Sequence, residues 1–350
     1  MHAAGRIRRL LIWWVGLAAA GLTGCADSPP AASSGNVLTL RVGHFPNITH
    51  SQALIGLARG DFQQALGSAV ALDVKVFNAG PSVIEALFAG QLDLAYIGPN
   101  PAINGYIKSE GEALRIVAGA TSGGAVFVVH PNANITRPED LAGKKIATPQ
   151  LGNTQDVALR AYLAAHGLKP AENGGNVEVI PTDNPQILDL FRQAQIDGAW
   201  VPKPWASRLM IEGGGRLFLD ERELWPGGEF VTAHVIVSAR FLRERPDVVK
   251  AWLRAHVEVT QWAQENPEQA RQLANAEIKR LSGKSLPQAV IDGAWSRLRV
   301  TYDPISASLV KSAESAYAAG FLKQQPDLSG IYDLTLLNEV LAEKGLEAVR

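Results

Sequence analysis

From Leu38 onward, short apolar runs alternate with amphipathic stretches. Leu38 to Val42 has the period-two pattern of a strand, and Ser51 to Arg59 has helical spacing that Gly60 closes. Ala71 to Phe77 predicts a strand, Ser82 to Ala89 a helix ended by Gly90, and Leu92 to Ile97 another strand. Pro99 opens a further helix, since proline is tolerated in a first turn. Ala113 to Ala118 and Val126 to His130 are strand-like. The cycle then restarts. Strands are expected at Lys145 to Thr148, Val177 to Ile180 and Ile196 to Trp200, with helices at Thr154 to His166, Pro185 to Gln193 and Pro204 to Glu212. Phe230 to Val237 is a long β-rich run. Beyond it the pattern is helical: Pro246 to Glu265, Pro267 to Arg280, Pro287 to Leu298, Ile305 to Ala319 and Leu334 to Lys344.

This β-then-α order argues for an α/β fold with mostly parallel sheets flanked by helices. Two such units followed by a helical tail predict two lobes. Residues 37–124 form the first part of lobe 1, 125–231 form lobe 2, and 232–350 return to lobe 1 and add the C-terminal helices. The chain crosses near Gly124 to Val126 and returns near Thr232 to His234.

The first residues follow another pattern. Arg6, Arg8 and Arg9 precede an apolar run from Leu10 to Gly21 that contains Trp13 and Trp14. This is the layout of a secretory signal, residues 1–24, and the run is shorter than the ~20 apolar residues a membrane span needs. Leu22-Thr23-Gly24-Cys25 looks like a lipobox, in which the cysteine thiol accepts a lipid and small neighbours admit the peptidase. Residues 25–36 are small, polar and proline-containing, as a tether should be. The reading is an exported lipoprotein, periplasmic or at the cell surface, held to a membrane through lipidated Cys25.

Composition narrows the function. The 350 residues suffice for two lobes with their own cores. The formal net charge is -1, and three of the positive charges sit in the signal segment, so the body is mildly acidic and nucleic acid is not an expected partner. Cys25 is the single cysteine, so the chain can form no internal disulfide and its cleft has no thiol nucleophile. Gly283-Lys284-Ser285 ends like a P-loop, but Ile278 stands where the opening glycine belongs. No G-x-S-x-G elbow and no H-E-x-x-H motif occur. The seven histidines are scattered, and no metal site or cofactor is expected.

In open α/β sheets, ligands sit beyond the carboxyl ends of the strands, where helix N-termini offer free N–H groups. The strand-to-helix turns there are rich in Gly, Ser, Thr and Asn. From the first turn the candidate ligand residues are Phe45, Asn47, Thr49, His50 and Gln52. The next two turns supply Gly80 and Ser82, then Gly98 and Asn100. The crossover supplies Thr121, Ser122 and Gly123, and the return strand His234. Lobe 2 supplies Asn153, Thr154, Trp200, Pro202 and Trp205. Such turns suit a small anion or polar solute held by neutral dipoles, with aromatic rings lining the cleft. Lys203 is the one cation in a predicted cleft loop.

These residues carry a family resemblance. Gly80-Pro81-Ser82-Val83-Ile84-Glu85-Ala86-Leu87-Phe88-Ala89-Gly90-Gln91-Leu92-Asp93-Leu94 resembles the E-A-L helix, glycine and L-D strand of the binding proteins that serve nitrate, taurine and aliphatic sulfonate importers. Pro138-Glu139-Asp140-Leu141-Ala142-Gly143-Lys144-Lys145-Ile146-Ala147 fits the same pattern, as does Trp200-Val201-Pro202-Lys203-Pro204-Trp205. Phe241 to Val249 and Trp262 to Glu268 match its helical tail. The resemblance covers about Leu38 to Lys344. It implies a two-lobed, type II periplasmic-binding-protein-like fold and a monomer. It also implies a small-molecule ligand and permease and ATPase subunits of an ABC importer as partners. Gln195 departs from the glycine the family often has before its I-D pair, and Phe45-Pro46-Asn47-Ile48-Thr49-His50 is closer to the P-N-x-x-H loop of the thiamin-pyrimidine branch. The expected ligand is therefore an aliphatic sulfonate, taurine or nitrate, with a pyrimidine-like heterocycle as the alternative. A biosynthetic enzyme of the same fold fits less well, because the pyrimidine-forming type uses a cysteine-rich motif. A sensor domain would call for a further membrane span or kinase-like region.

Overall fold

The structure, a computed structural model, describes residues 37–350. The predicted signal segment 1–24, the tether 25–36 and Cys25 lie outside the described residues. The chain begins with β1 (Leu38–His44), α1 (Ser51–Arg59), α2 (Asp61–Leu66), β2 (Val70–Val76), α3 (Gly80–Phe88), β3 (Leu94–Ile97), α4 (Pro99–Lys108) and β4 (Leu114–Gly123). It continues with β5 (Ala125–Val129), β6 (Lys145–Thr148), α5 (Thr154–Ala165), β7 (Glu178–Pro181), α6 (Asn184–Arg192), β8 (Gly198–Pro202), α7 (Trp205–Ile211) and β9 (Arg216–Asp220). Then come β10 (Val231–Ser238), α8 (Ala239–Glu244), α9 (Pro246–Glu265), α10 (Pro267–Ser282), α11 (Gln288–Trp295), β11 (Leu298–Val300), α12 (Ser306–Ala318) and α13 (Thr335–Glu343). Proline stands in the first turn of α3, α4, α6, α9 and α10, where its missing N–H costs nothing.

The strands form two sheets. The first has the order β11-β4-β10-β3-β1-β2 and the second β7-β6-β8-β5-β9. In the first, β1 is parallel to β2 and β3, and in the second, β6 is parallel to β7 and β8. Besides the short edge strand β11, antiparallel to β4, two strands depart from the parallel expectation. β5 runs antiparallel to β8 and β9, and β10 antiparallel to β3 and β4. The cause is the crossing itself. The chain leaves the first sheet at the carboxyl end of β4 and enters the second at its cleft side, so β5 starts where β8 ends, with Ala125 opposite Pro202. The return repeats the geometry, with Val231 opposite Ser122. Gly123 and Gly124, at φ 73° and 82°, make the turn between sheets in the left-handed region that glycine enters without penalty.

Each sheet is covered on both faces. Against one face of the first, α9 brings Trp252 onto Phe62 of α2, stacked at 3.8 Å. Fully burying aromatic side chains of this kind contributes ~2–3 kcal/mol each. On the other face Val83, Ile84, Leu87 and Ile103 of α3 and α4 meet Leu309 and Ala313 of α12. In the second lobe Phe127, Trp200 and Tyr162 pack on the α5 side, and Phe191, Ile187 and Leu209 on the α6 and α7 side.

The tail does more than complete the first lobe. α11 packs on α7 and α12 on α5 as well as α4, so both reach the second lobe. Arg297 Nη1 donates to Asp220 Oδ2 at 2.8 Å, and Lys311 Nζ donates to the Leu224 carbonyl at 2.9 Å. The helix expected over 287–298 stops at Trp295, because Leu298–Val300 pairs with β4. Such a short strand is created by its partner and leaves no local pattern. β9, α2 and α8 are likewise absent from the sequence expectation.

Candidate functional site

The carboxyl ends of the parallel strands of the two sheets face each other around a small cavity. Its lining is Phe45, Asn47, Thr49, His50, Asn78, Gly98 and Thr232 from the first lobe, and Asn153, Gln155, Asn184 and Pro202 from the second. Its free volume of ≈ 20 Å³ has room for about one water molecule. Among the described residues, none that lines it carries a full charge. The lobes meet at its rim through three side-chain contacts. Trp205 Nε1 donates to Asn47 Oδ1 at 2.9 Å, Asn78 Nδ2 to Asp183 Oδ2 at 3.2 Å, and Ser82 Oγ to Gln150 Oε1 at 3.3 Å. Gly98 approaches the second lobe so closely that a Cβ there would lie 2.3 Å from Thr154 Oγ1.

Two one-way donors fix the polarity of the first lobe's contribution. The Phe45 backbone N–H can only donate, and it points at His50 Nδ1 at 3.2 Å. His50 must therefore carry its proton on Nε2. Burial holds this imidazole well below its ordinary range, with the nearby His44 adding to the effect, so the ring is neutral. Phe45 stacks on it at 4.3 Å and pins its plane. The indole N–H of Trp205 also only donates, so Asn47 turns its oxygen to Trp205 and its amide hydrogens elsewhere. The second lobe adds the N-terminus of α5, where the first-turn N–H groups of Thr154 and Gln155 have no intrahelical partner. The Thr154 hydroxyl and Asn184 Oδ1 are buried without a partner. The site is thus neutral and rich in N–H groups, which suits an acceptor-bearing solute.

Of the predicted residues, Phe45, Asn47, Thr49, His50, Gly98, Asn153 and Pro202 come together on the cavity wall. Thr154, Trp205 and Ser82 sit beside it in contacts between the lobes. The others lie elsewhere. Thr121 Oγ1 donates to the Thr49 carbonyl at 2.7 Å and supports the loop from behind. Gln52 is fully buried and donates to the Ala120 carbonyl at 2.6 Å. Gly80 packs on Pro101, where a Cβ would come within 2.3 Å, and Asn100 Nδ2 ties α4 to the Ser312 carbonyl of α12. Ser122 lines a separate surface pocket with Asp220, Arg222, Arg297 and Arg299, and Gly123 makes the crossover turn.

Trp200 sits in the core of lobe 2 rather than in the cleft. It is stacked on Phe127 at 5.3 Å and donates to Glu221 Oε2 at 2.8 Å. Burial pushes that Glu221 carboxyl up to about 7. His234 is buried beside the Pro304 carbonyl, and burial holds it down to about 4. Lys203 points away from the cavity. Its Nζ donates to Ser207 Oγ at 2.8 Å, and burial, with Arg297 nearby, brings it down to about 7.

Asn78, Gln155, Asn184 and Thr232 line the cavity without being among the candidate ligand residues, although Asn78 opens one of the expected turns and Thr232 stands at the expected return. Asn184 had a usable signal, since it is the first residue of a helix, ahead of a proline and after a strand, and Asn153 stands likewise after a strand as the cap of α5. Among the described residues no group of three or more His, Cys, Asp or Glu side chains is placed to hold a metal ion.

The model of the NMT1-like family matches residues 33–278 of this sequence. The chain belongs to the NMT1-like family. A relative of this NMT1-like chain is the taurine-binding periplasmic protein of Escherichia coli, 28% identical over 77% of this chain and 82% of its own length. Among solved structures, the alkanesulfonate-binding protein SsuA from Xanthomonas axonopodis pv. citri bound to MOPS superposes with a TM-score of 0.70. It has 22% identity and covers 87% of this chain and 99% of its own. The periplasmic nitrate-binding protein NrtA from Synechocystis PCC 6803 gives the same TM-score at 17% identity, covering 88% and 89%. These structural likenesses establish the fold of this NMT1-like protein as that of periplasmic binding proteins.

Proposed function

We propose that this chain is the solute-binding component of an ABC-type importer and that it captures a small oxyanion of the sulfonate class between its lobes. The observation that carries this reading is the pair of one-way donors, Phe45 N–H and Trp205 Nε1–H. They leave His50 with its proton on Nε2 and Asn47 with its amide hydrogens turned away from Trp205, and both residues line the cavity. Neutral donors fixed in a desolvated site stabilise a monoanion without a countercharge. The names of the relatives, which refer to taurine, alkanesulfonate and nitrate, support the same class. The chain performs no chemistry on its ligand, and works by closing its lobes and presenting the solute to the permease.

The test is a thermal-shift screen of purified residues 37–350 with alkanesulfonates, taurine, nitrate, bicarbonate and pyrimidines. A ligand at 100 times its Kd stabilises by ~2.7 kcal/mol, which raises the melting temperature by roughly 4 °C. Sulfonates are expected to give the largest shift. A shift with pyrimidines alone would overturn the oxyanion reading, and turnover of the bound solute would overturn the pure binding role.

The export and anchoring reading belongs to this proposal. Cys25 is diacylated on its thiol, becomes the new N-terminus when residues 1–24 are removed, and holds the lobes beside the membrane on the 25–36 tether. Cys25→Ser is expected to move the protein from the membrane pellet to the soluble fraction of fractionated cells. Continued membrane attachment of that variant would count against the anchor.

A further inference from the structure

Trp205 is the first residue of α7, on the second lobe, and is half-buried. It reaches the cavity only through Asn47, which lines it from the first lobe. Its indole N–H donates to Asn47 Oδ1 at 2.9 Å. An amide side chain can offer either its oxygen or its hydrogens to a given point, and the two ends exchange by one rotation. An indole N–H accepts nothing, so the bond permits one of the two orientations. The ring itself is held in place. The Arg208 guanidinium lies 4.9 Å over it, and Arg208 Nε donates to Glu212 Oε1 at 2.8 Å.

We propose that Trp205 is a positioning residue that makes lobe closure select for an anion. With the lobes parted, Asn47 has no Trp205 to answer and its amide presents either end to the solute. Closing brings the indole N–H onto Oδ1, and the amide hydrogens then turn to the ligand. His50 offers its Nε2 proton from the first lobe in either state, but Asn47 is held as a donor only when the second lobe is in place. An acceptor-bearing ligand therefore stabilises the closed form, and the closed form sharpens the preference for that ligand. This role rests on the oxyanion reading of the cavity.

The experiment compares methanesulfonate with methanesulfonamide, a neutral probe of nearly the same size and shape, by calorimetric titration of the wild type and Trp205→Phe. The phenylalanine keeps an aromatic ring and removes the N–H. In the variant, methanesulfonate affinity is expected to fall about tenfold, the size of one hydrogen bond. Methanesulfonamide affinity stays within about threefold, because its amide group can donate to a flipped Asn47. The preference for the anion narrows accordingly. Equal losses for both probes would mean that Trp205 only supports the packing, and would overturn the role, as would unchanged affinities.

A second measurement needs no variant to fold. The wild-type Trp205 indole N–H, followed by NMR with 15N-labelled tryptophan, moves downfield when methanesulfonate is added. An unmoved indole signal in a protein that binds methanesulfonate would remove this role and leave the solute-binding function standing. Failure of the wild type to bind methanesulfonate, together with binding of a pyrimidine, would remove both.

Discussion

Gly98→Val is expected to weaken ligand binding by about 100-fold or more while the ligand-free protein keeps its melting temperature to within about 3 °C. Gly98 precedes α4 with φ -71° and ψ 160°, an extended conformation that valine adopts without strain. In the first lobe the nearest atom to a Cβ at this position is the Thr232 carbonyl oxygen, at 3.6 Å, an ordinary contact. The obstacle is the second lobe. A Cβ at this position lies 2.3 Å from Thr154 Oγ1 and 3.5 Å from Thr154 Cβ. A lone methyl lets the threonine rotate its hydroxyl aside, but the two further carbons of valine meet the threonine side chain whichever way it turns. Overpacking of a fixed interior costs ~1–3 kcal/mol, and sometimes more. Here the lobes relieve the strain by parting, so the cost falls on the closed, ligand-holding form alone. Calorimetric titration and a melting curve of the same preparation check both halves. Wild-type affinity in Gly98→Val would show that binding does not need the approach of Gly98 to Thr154.

The second large effect falls on stability. Gly119 lies within β4, and a Cβ there would come 2.0 Å from the Asp303 carbonyl oxygen and 2.4 Å from its carbon. Both atoms are backbone, so no side-chain rotation makes room. The contact is also tied on each side. The Gly119 N–H donates to the Tyr302 carbonyl at 2.8 Å, and the Gly119 carbonyl accepts from His256 Nε2 at 2.9 Å. Tyr96, whose hydroxyl lies 2.9 Å from His256 Nδ1, completes the chain of bonds. Gly119→Ala must push the segment around Asp303 off the sheet or break these bonds. The expected loss is ~3 kcal/mol or more, lowering the melting temperature by roughly 5 °C or more. Urea unfolding measures it directly. A loss below about 0.5 kcal/mol, the range of an ordinary surface change, would show that the segment moves aside freely.

Much of the scaffold can be read in the sequence because its signals are local. Ser51–Arg59 and Pro246–Glu265 carry full helical periodicity between a capping glycine or an opening proline, and both appear at the expected residues. Lys145–Thr148 appears as the expected strand, buried from Ile146 onward. Strand direction is different. Nothing in Ala125–Val129 or Val231–Ser238 says that they run against their neighbours, since that follows from where the chain crosses between sheets. The site divides in the same way. Turns rich in Gly, Ser, Thr and Asn were legible as a class, and they placed Asn47, Gly98 and Asn153 near the cavity. The role of a single residue was not. Trp200 and Trp205 are five residues apart in one motif, yet the first faces a buried carboxylate and the second faces the opposite lobe. Burial decides which, and burial is set by the partner surfaces.

The strand order of the first sheet bears on how the chain is assembled. In β11-β4-β10-β3-β1-β2, the strands β3 and β4 are not neighbours, and the place between them belongs to β10, residues 231–238. When synthesis has passed β4, that strand has neither of its mates, because β11 is later still. The second sheet lacks this problem, since all its strands lie between Ala125 and Asp220. A nascent chain can thus complete the inserted lobe while the outer one still exposes unpaired edges on β3 and β4, the kind of surface on which chains aggregate. The lobe that carries both ends of residues 37–350 stays open until the last third of the chain arrives.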